Sequence, residues 1–151
     1  MGTPTETKDL LRQIMGIQRF AVLATLNNQQ PYSNLVAFVV SEDLRQIIFA
    51  TERNTRKYRN IQANDKVALL IDNRRNNQSD FKEGLAITAL GMASELKGSR
   101  SEKLVQSYLD RHPSLGEFLK RPDTAVIRVT VTDYILARFD GAERIRVDGT
   151  F

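Results

Sequence analysis

Between Thr51 and Arg59 the chain reads TERNTRKYR, so four cations, Arg53, Arg56, Lys57 and Arg59, fall within seven residues beside two threonines spaced four apart. Hydroxyls next to guanidinium and ammonium groups are the donors a phosphate monoester needs. Asn54 or Thr55 is a natural cap for a helix over 54–63, which puts Arg56 and Lys57 in its first turn. The macrodipole leaves partial positive charge at that end, so each cation there costs about 0.3–1 kcal/mol unless an anion compensates. Two compensators are open from the sequence: a bound phosphate, or a solvated basic face with Glu52 and Asp65 as partners.

Other chemistries are thinly supplied. The chain has no cysteine and one histidine, His112. That removes disulfides, thiolate metal sites, iron–sulfur clusters and a cysteine nucleophile. Imidazole metal sites need two or three histidines, and a Ser-His-Asp arrangement needs a histidine beside its serine, so no metal site or triad is expected. His112 precedes Pro113 and reads as a helix-terminal residue facing the last carbonyls. If the chain is an enzyme, its chemistry is expected from a bound organic cofactor. The net charge of +4 is modest, and acidic residues are interspersed without a nucleic-acid-binding signature, so no nucleic-acid partner is expected. No stretch approaches the roughly 20 apolar residues that cross a bilayer, and MGTPTETKDLL is not a leader, so the expected location is cytoplasmic, away from membranes.

At 151 residues, with 41% hydrophobic and 26% charged residues and no low-complexity stretch, the chain is expected to form one domain over 1–151. An amphipathic helix is expected over Thr7–Ile17, with Thr5 or Thr7 as cap. Strands follow at Arg19–Leu26, at Tyr32–Val40 (continuous enough in apolar residues to suggest burial on both faces) and at IIFAT. After the helix of 54–63, strands are expected at Asp65–Asn73 and Leu85–Leu96, with RRNNQSD as a loop between them. Gly91 marks a bulge or a close approach of another backbone or a ligand. A helix capped by Ser99 or Ser101 runs to Pro113, and a short one spans 115–119. Thr124–Phe139 alternates as a strand with one wet face, and Asp140-Gly141 turns it into ERIRV. Six or seven mainly antiparallel strands with a few flanking helices give a mainly β or α+β fold, a barrel or strongly curled sheet.

In the order FAVLATL, QPYSNLVAFVV, IIFAT then TRKYRNI, NDKVALLID and LAITALGMASEL, the chain resembles the FMN-binding split barrels related to pyridoxamine 5′-phosphate oxidase, over about Phe20 to Pro113. The resemblance implies a Greek-key-like antiparallel split β-barrel. It implies an FMN phosphate held at Thr51, Thr55, Arg56 and Lys57, with the isoalloxazine ring along Ser33, Asn34, Leu35, Val36 and Ala37 and bonded by that strand's backbone. The side chains of Leu35 and Val36 still read as core. It also implies a homodimer with the flavin in a crevice between subunits, where Arg138, Arg144 and Arg146 are candidates for the partner's contribution or simply a solvated strand face. The chain departs from the vitamin-B6 oxidases in ending DGAERIRVDGTF without their Arg-Leu-His-Asp-Arg segment. Tyr108 falls where they place a substrate-phosphate tyrosine, but His112 stands at the arginine position. The expectation is therefore an FMN-dependent oxidoreductase acting on an unidentified small substrate, and not a true pyridoxamine 5′-phosphate oxidase. The alternatives are a non-catalytic flavin-binding or electron-carrier protein, and a relative that uses deazaflavin or haem.

Overall fold

The computed structural model describes residues 2–98 and 102–151. Its elements in chain order are α1 (Pro4–Ile17), β1 (Phe20–Asn27), β2 (Gln30–Val40), β3 (Gln46–Glu52), α2 (Arg56–Ala63), β4 (Lys66–Asp72), α3 (Asp80–Glu83), β5 (Ala86–Glu95), α4 (Lys103–Arg111), a 3-10 turn (Pro113–Leu115), α5 (Gly116–Lys120), β6 (Thr124–Arg138) and β7 (Gly141–Arg146). The strands lie in the order β3-β2-β1-β4-β5-β6-β7, every pair antiparallel, and β3 pairs back onto β6. Six strands thus close a barrel and β7 extends it, which is the mainly β, α+β class expected.

Closure is unequal along β2. Residues 30–37 pair with β1, whereas β3 is reached only through Phe38↔Phe49, Val39↔Ile48 and Val40↔Ile47. Over its whole length β3 pairs instead with β6, from Gln46↔Thr130 to Glu52↔Thr124. The second edge of β2 over 30–37 therefore has no strand partner among the described residues. The β1–β2 hairpin turns through Asn28 and Gln29, both at positive φ (48° and 71°), a two-residue turn whose twist matches its strands.

Inward side chains of the strands fill the barrel: Leu23, Phe38, Ile47, Phe49, Leu69, Ile71, Ile87, Val129 and Tyr134 are all buried. Helix α1 plugs one end with Leu11, Ile14 and Met15, each burial worth about 1.5–3 kcal/mol. Its cap is Thr3, not Thr5 or Thr7. Thr3 and Glu6 form a reciprocal capping box, and Pro4 occupies the first helical position, so the helix starts earlier than its apolar periodicity shows. At its other end, the carbonyls of Gly16 and Gln18 accept from the Arg111 guanidinium at 2.6 and 2.5 Å.

A second apolar cluster sits outside the barrel. Val105 and Tyr108 of α4 and Leu119 of α5 pack onto Ile48 and Val126. This corrects two expectations. β6 does not have one wet face throughout, because Val126 is buried under α4 and α5 and the exposed positions are Thr130, Thr132 and the terminal Arg138. β2 is not covered on both faces, because Leu35 is 66% exposed while Val36 is 5% exposed. The apolar run of β2 does face two ways, yet only its barrel side is covered within the chain. The segment after β4 is also less irregular than expected: Asp80 accepts from the amides of Arg75 and Asn76 and opens the short α3. The expected caps Ser99 and Ser101 lie outside the described residues.

One ion pair ties the start of α2 to the barrel. Arg53 donates to both carboxylate oxygens of Glu95, at 3.1 and 3.0 Å, and Tyr58 donates its hydroxyl to the same carboxylate at 2.7 Å. Arg53, then Tyr58, hold the Glu95 carboxyl below its ordinary value of 4.5. A carboxyl depressed by folding adds stability that is complete above its unfolded value and is lost as pH falls through the lower folded value.

Two measurements test this architecture. Gly91 sits where the β5–β6 register shifts by one residue, and a Cβ there would meet the Thr130 carbonyl oxygen at 2.4 Å and Val129 Cγ1 at 2.8 Å. Gly91→Ala is expected to lower unfolding free energy by about 1–3 kcal/mol in denaturant titrations; an unchanged midpoint contradicts the close approach. Glu95→Gln is expected to be less stable than wild type at pH 7 and to lose less further stability between about pH 5 and 3. Parallel acid limbs for the two proteins would show that Glu95 gains nothing from its partners.

Candidate functional site

The Thr51–Arg59 run folds as the turn from β3 into α2. Thr55 is the helix cap, its Oγ1 accepting from the Tyr58 amide at 3.3 Å and donating to the Glu52 carbonyl at 2.8 Å. Thr51 and Thr55 meet hydroxyl to hydroxyl at 3.0 Å, and Thr51 is 2% exposed. Thr55 is thus the cap of the two expected, and the helix begins at Arg56, two residues after the expected start of the segment at Asn54, with Arg56 and Lys57 as its first two residues and no acidic residue in its first turn.

The four cations separate into two kinds. Arg53 is consumed by Glu95 and by the Pro122 carbonyl at 2.8 Å, and its own amide donates to the Asp123 carbonyl at 2.9 Å. Arg59 bonds the Asn54 carbonyl at 3.2 Å. Arg56 and Lys57 pair with no carboxylate among the described residues. Glu52, expected as a partner, bonds Arg121 instead at 3.1 Å. Lys57 is half-buried, and that burial pushes its ammonium below the usual lysine value. A desolvated cation beside the positive end of a helix is the arrangement an anion relieves.

Arg56 reaches toward β2. Its guanidinium carbon stands 5.2 Å from the centre of the Tyr32 ring, a cation–π contact that sets the first turn of α2 against the strand carrying Ser33, Asn34, Leu35, Val36 and Ala37. That stretch owns the edge without a strand partner, where every second residue of an antiparallel strand presents its N–H and C=O. The Asn34 side chain faces inward opposite Leu23, and its Oδ1 is buried without a hydrogen-bond partner. Under α2, Asn60 donates to Thr25 Oγ1 at 2.9 Å, fastening the helix to β1. An unpaired backbone edge and an orphaned amide oxygen on β2 thus accompany two first-turn cations that have no carboxylate partner among the described residues, together donors and acceptors for a flat polar ring and donors for a phosphate.

Other sequence candidates lie elsewhere. His112 is 6% exposed and caps α4, but its Nε2 bonds the Phe38 carbonyl of β2 at 2.8 Å, not a carbonyl of its own helix. Tyr108 is 2% exposed, its hydroxyl pushed up to about 12 by burial, so it offers no surface to a substrate. Arg144 is taken by Asp133 at 3.0 Å. Residues that sequence reasoning missed are Tyr32, Tyr58 and Glu95. Glu95 lies 42 positions from Arg53, and no local spacing signals a contact of that range.

The sequence matches the family model for pyridoxamine 5′-phosphate oxidase over residues 7–137. No curated protein matches it significantly. Among solved structures, General Stress Protein 26 from Bacillus anthracis str. Sterne is 24% identical with a TM-score of 0.69, covering 94% of this chain and 99% of that one. A Clostridium acetobutylicum protein related to general stress protein 26, of the pyridoxinephosphate oxidase family, is 14% identical with a TM-score of 0.73 and coverages of 99% and 100%. A heme binding protein from Mycobacterium smegmatis is 14% identical with a TM-score of 0.82; it covers 97% of this chain, which spans 60% of its length. At these identities the solved structures attest the fold alone, whereas the family model runs from α1 to the end of β6 and settles descent: the chain belongs to the pyridoxamine 5′-phosphate oxidase family.

Proposed function

We propose that the chain binds flavin mononucleotide and serves as an oxidoreductase on a small substrate, in a homodimer that closes over the flavin. The observation that carries this reading is the pair Arg56 and Lys57, without carboxylate partners at the start of α2, beside the unpaired edge of β2. The chain's own residues divide the work. Arg56, Lys57 and the first-turn amides neutralise and orient the phosphate, while Thr51 and Thr55 shape that turn with hydroxyls able to rotate toward it. The backbone of Ser33–Ala37 and the Asn34 amide bond the ring edge. When bound, the flavin supplies acceptance of a hydride or of two single electrons. Burial of Tyr108 and His112 supports the view that the substrate is not pyridoxamine phosphate.

The uncovered face of the barrel supports the dimeric part of this reading. Phe20 and Leu35 are exposed, and Val22, Leu70, Thr88 and Ile135 are half-buried along registers that make them successive neighbours across β2, β1, β4, β5 and β6. An apolar sheet face of this kind is what a symmetric partner covers.

Haem is the second reading, favoured by the fold shared with the Mycobacterium smegmatis heme binding protein. Against it, the chain's one imidazole is buried and bonded to Phe38. A relative that uses deazaflavin in place of FMN, and a flavin carrier without turnover, keep the same phosphate cleft.

The purified protein, or the protein titrated with FMN, is expected to show bound-flavin absorption bands, and titration with haemin to give no Soret shift. Arg56→Ala/Lys57→Ala is expected to weaken FMN by several kcal/mol, since hydrogen bonds to charged groups contribute about 1.5–3 kcal/mol each. An unchanged flavin titration in the double variant refutes the placement. Leu70→Lys is expected to weaken self-association by about 2–3 kcal/mol, read by sedimentation equilibrium as a shift from dimer to monomer. A dimer of unaltered strength would move the interface off this face.

A further inference from the structure

The Glu95 carboxylate joins the two sides of the turn that carries Arg56 and Lys57. On the strand side it holds Arg53, whose guanidinium and amide continue to the carbonyls of Pro122 and Asp123. On the helix side it holds the Tyr58 hydroxyl, and the amide of the same Tyr58 donates to the Thr55 cap. The Glu95 side chain is 16% exposed and that of Arg53 37%, so the carboxylate end of these bonds is the better shielded from competing water. Glu95 also neutralises Arg53, so that this cation of the run does not compete with Arg56 and Lys57 for an anion.

We infer that Glu95 is a positioning residue for the phosphate cleft: through Arg53 and Tyr58 it fixes the first turn of α2, so that Arg56, Lys57 and the turn's amides converge on one phosphate monoester. This rests on the flavin-phosphate reading above. Glu95 itself bonds only Arg53 and Tyr58, and its effect reaches the ligand through geometry. The consequence is selective. A loosened turn lowers affinity for the phosphate end of the cofactor and leaves recognition of the ring, which falls to β2, in place.

The test compares FMN with riboflavin, which has the same ring without the phosphate, by flavin fluorescence titration of the full chain and of Glu95→Ala, Glu95→Gln and Tyr58→Phe. Glu95→Ala is expected to weaken FMN about tenfold while riboflavin shifts by less than about twofold, because a hydrogen-bonded charge is removed from the phosphate side alone. Glu95→Gln, which keeps an acceptor without the charge, is expected to fall between wild type and Glu95→Ala. Tyr58→Phe is expected to weaken FMN about threefold, the effect of one hydrogen bond. Should Glu95→Ala fail to fold by circular dichroism, the other two variants carry the measurement. A ratio of FMN to riboflavin affinity that stays constant across the folded variants overturns the positioning role and leaves the flavin reading standing. A wild-type protein that binds neither flavin, or binds both equally, overturns the phosphate reading and this inference with it.

Discussion

Each strand offers two edges, and the way β3 spends its own shapes the molecule. It pairs with β6 from end to end and with β2 through three residues only. Backbone groups left unpaired in a folded chain need water or another partner. The barrel closes on this choice, and the choice leaves Gln30–Ala37 of β2 open along one side. Thr51 and Glu52 come out at the far end of β3, beyond its contact with β2, so that the turn into α2 rises beside the open edge. The open edge is a by-product of closure.

Charge is distributed to the same effect. Arg53, Arg121, Arg128 and Arg144 each face a carboxylate, and Arg111 sits on the carbonyls that end α1. Exposed pairs of this sort add little stability individually, but they remove those cations from competition for an anion. Arg56 and Lys57 stand apart, at the helix end where positive charge is least favourable. The Tyr32 ring partly compensates Arg56 through its π face. Lys57 has no such contact among the described residues, and burial holds its ammonium below the usual range.

The barrel's exterior is treated asymmetrically. Over β3 and the first half of β6, α4 and α5 supply a lid of Val105, Tyr108 and Leu119, and α4 ends in His112 locked to β2. On the outward faces of β1, β4, β5 and the second half of β6, by contrast, Phe20 is exposed and Val22, Leu70 and Ile135 are half-buried. Tyr108 and His112, the two positions singled out by the resemblance to the vitamin-B6 oxidases, are both buried in the lid.

Local pattern determined much of this protein. The alternation of apolar residues gave the seven strands to within a few residues, Gly91 announced its bulge, and TRKYR placed two cations at a helix start, because period, steric need and dipole sign are properties of neighbours in sequence. The short α3 escaped notice because it hangs on one aspartate binding the amides before it, and the Thr3 cap because it precedes the apolar rhythm. What the tertiary structure alone decided was which faces are covered and which charges are paired. β2 reads as a strand buried on both faces and β6 as one with a wet face, yet Leu35 is bare and Val126 is buried, since covering depends on α4 and α5 arriving from elsewhere. Likewise Arg53 and Arg56 look equivalent in TERNTRKYR, and only the fold, by carrying Glu95 across 42 residues to one of them, leaves the other free. Long-range pairing is set by how the sheet closes, which spacing along the chain does not encode.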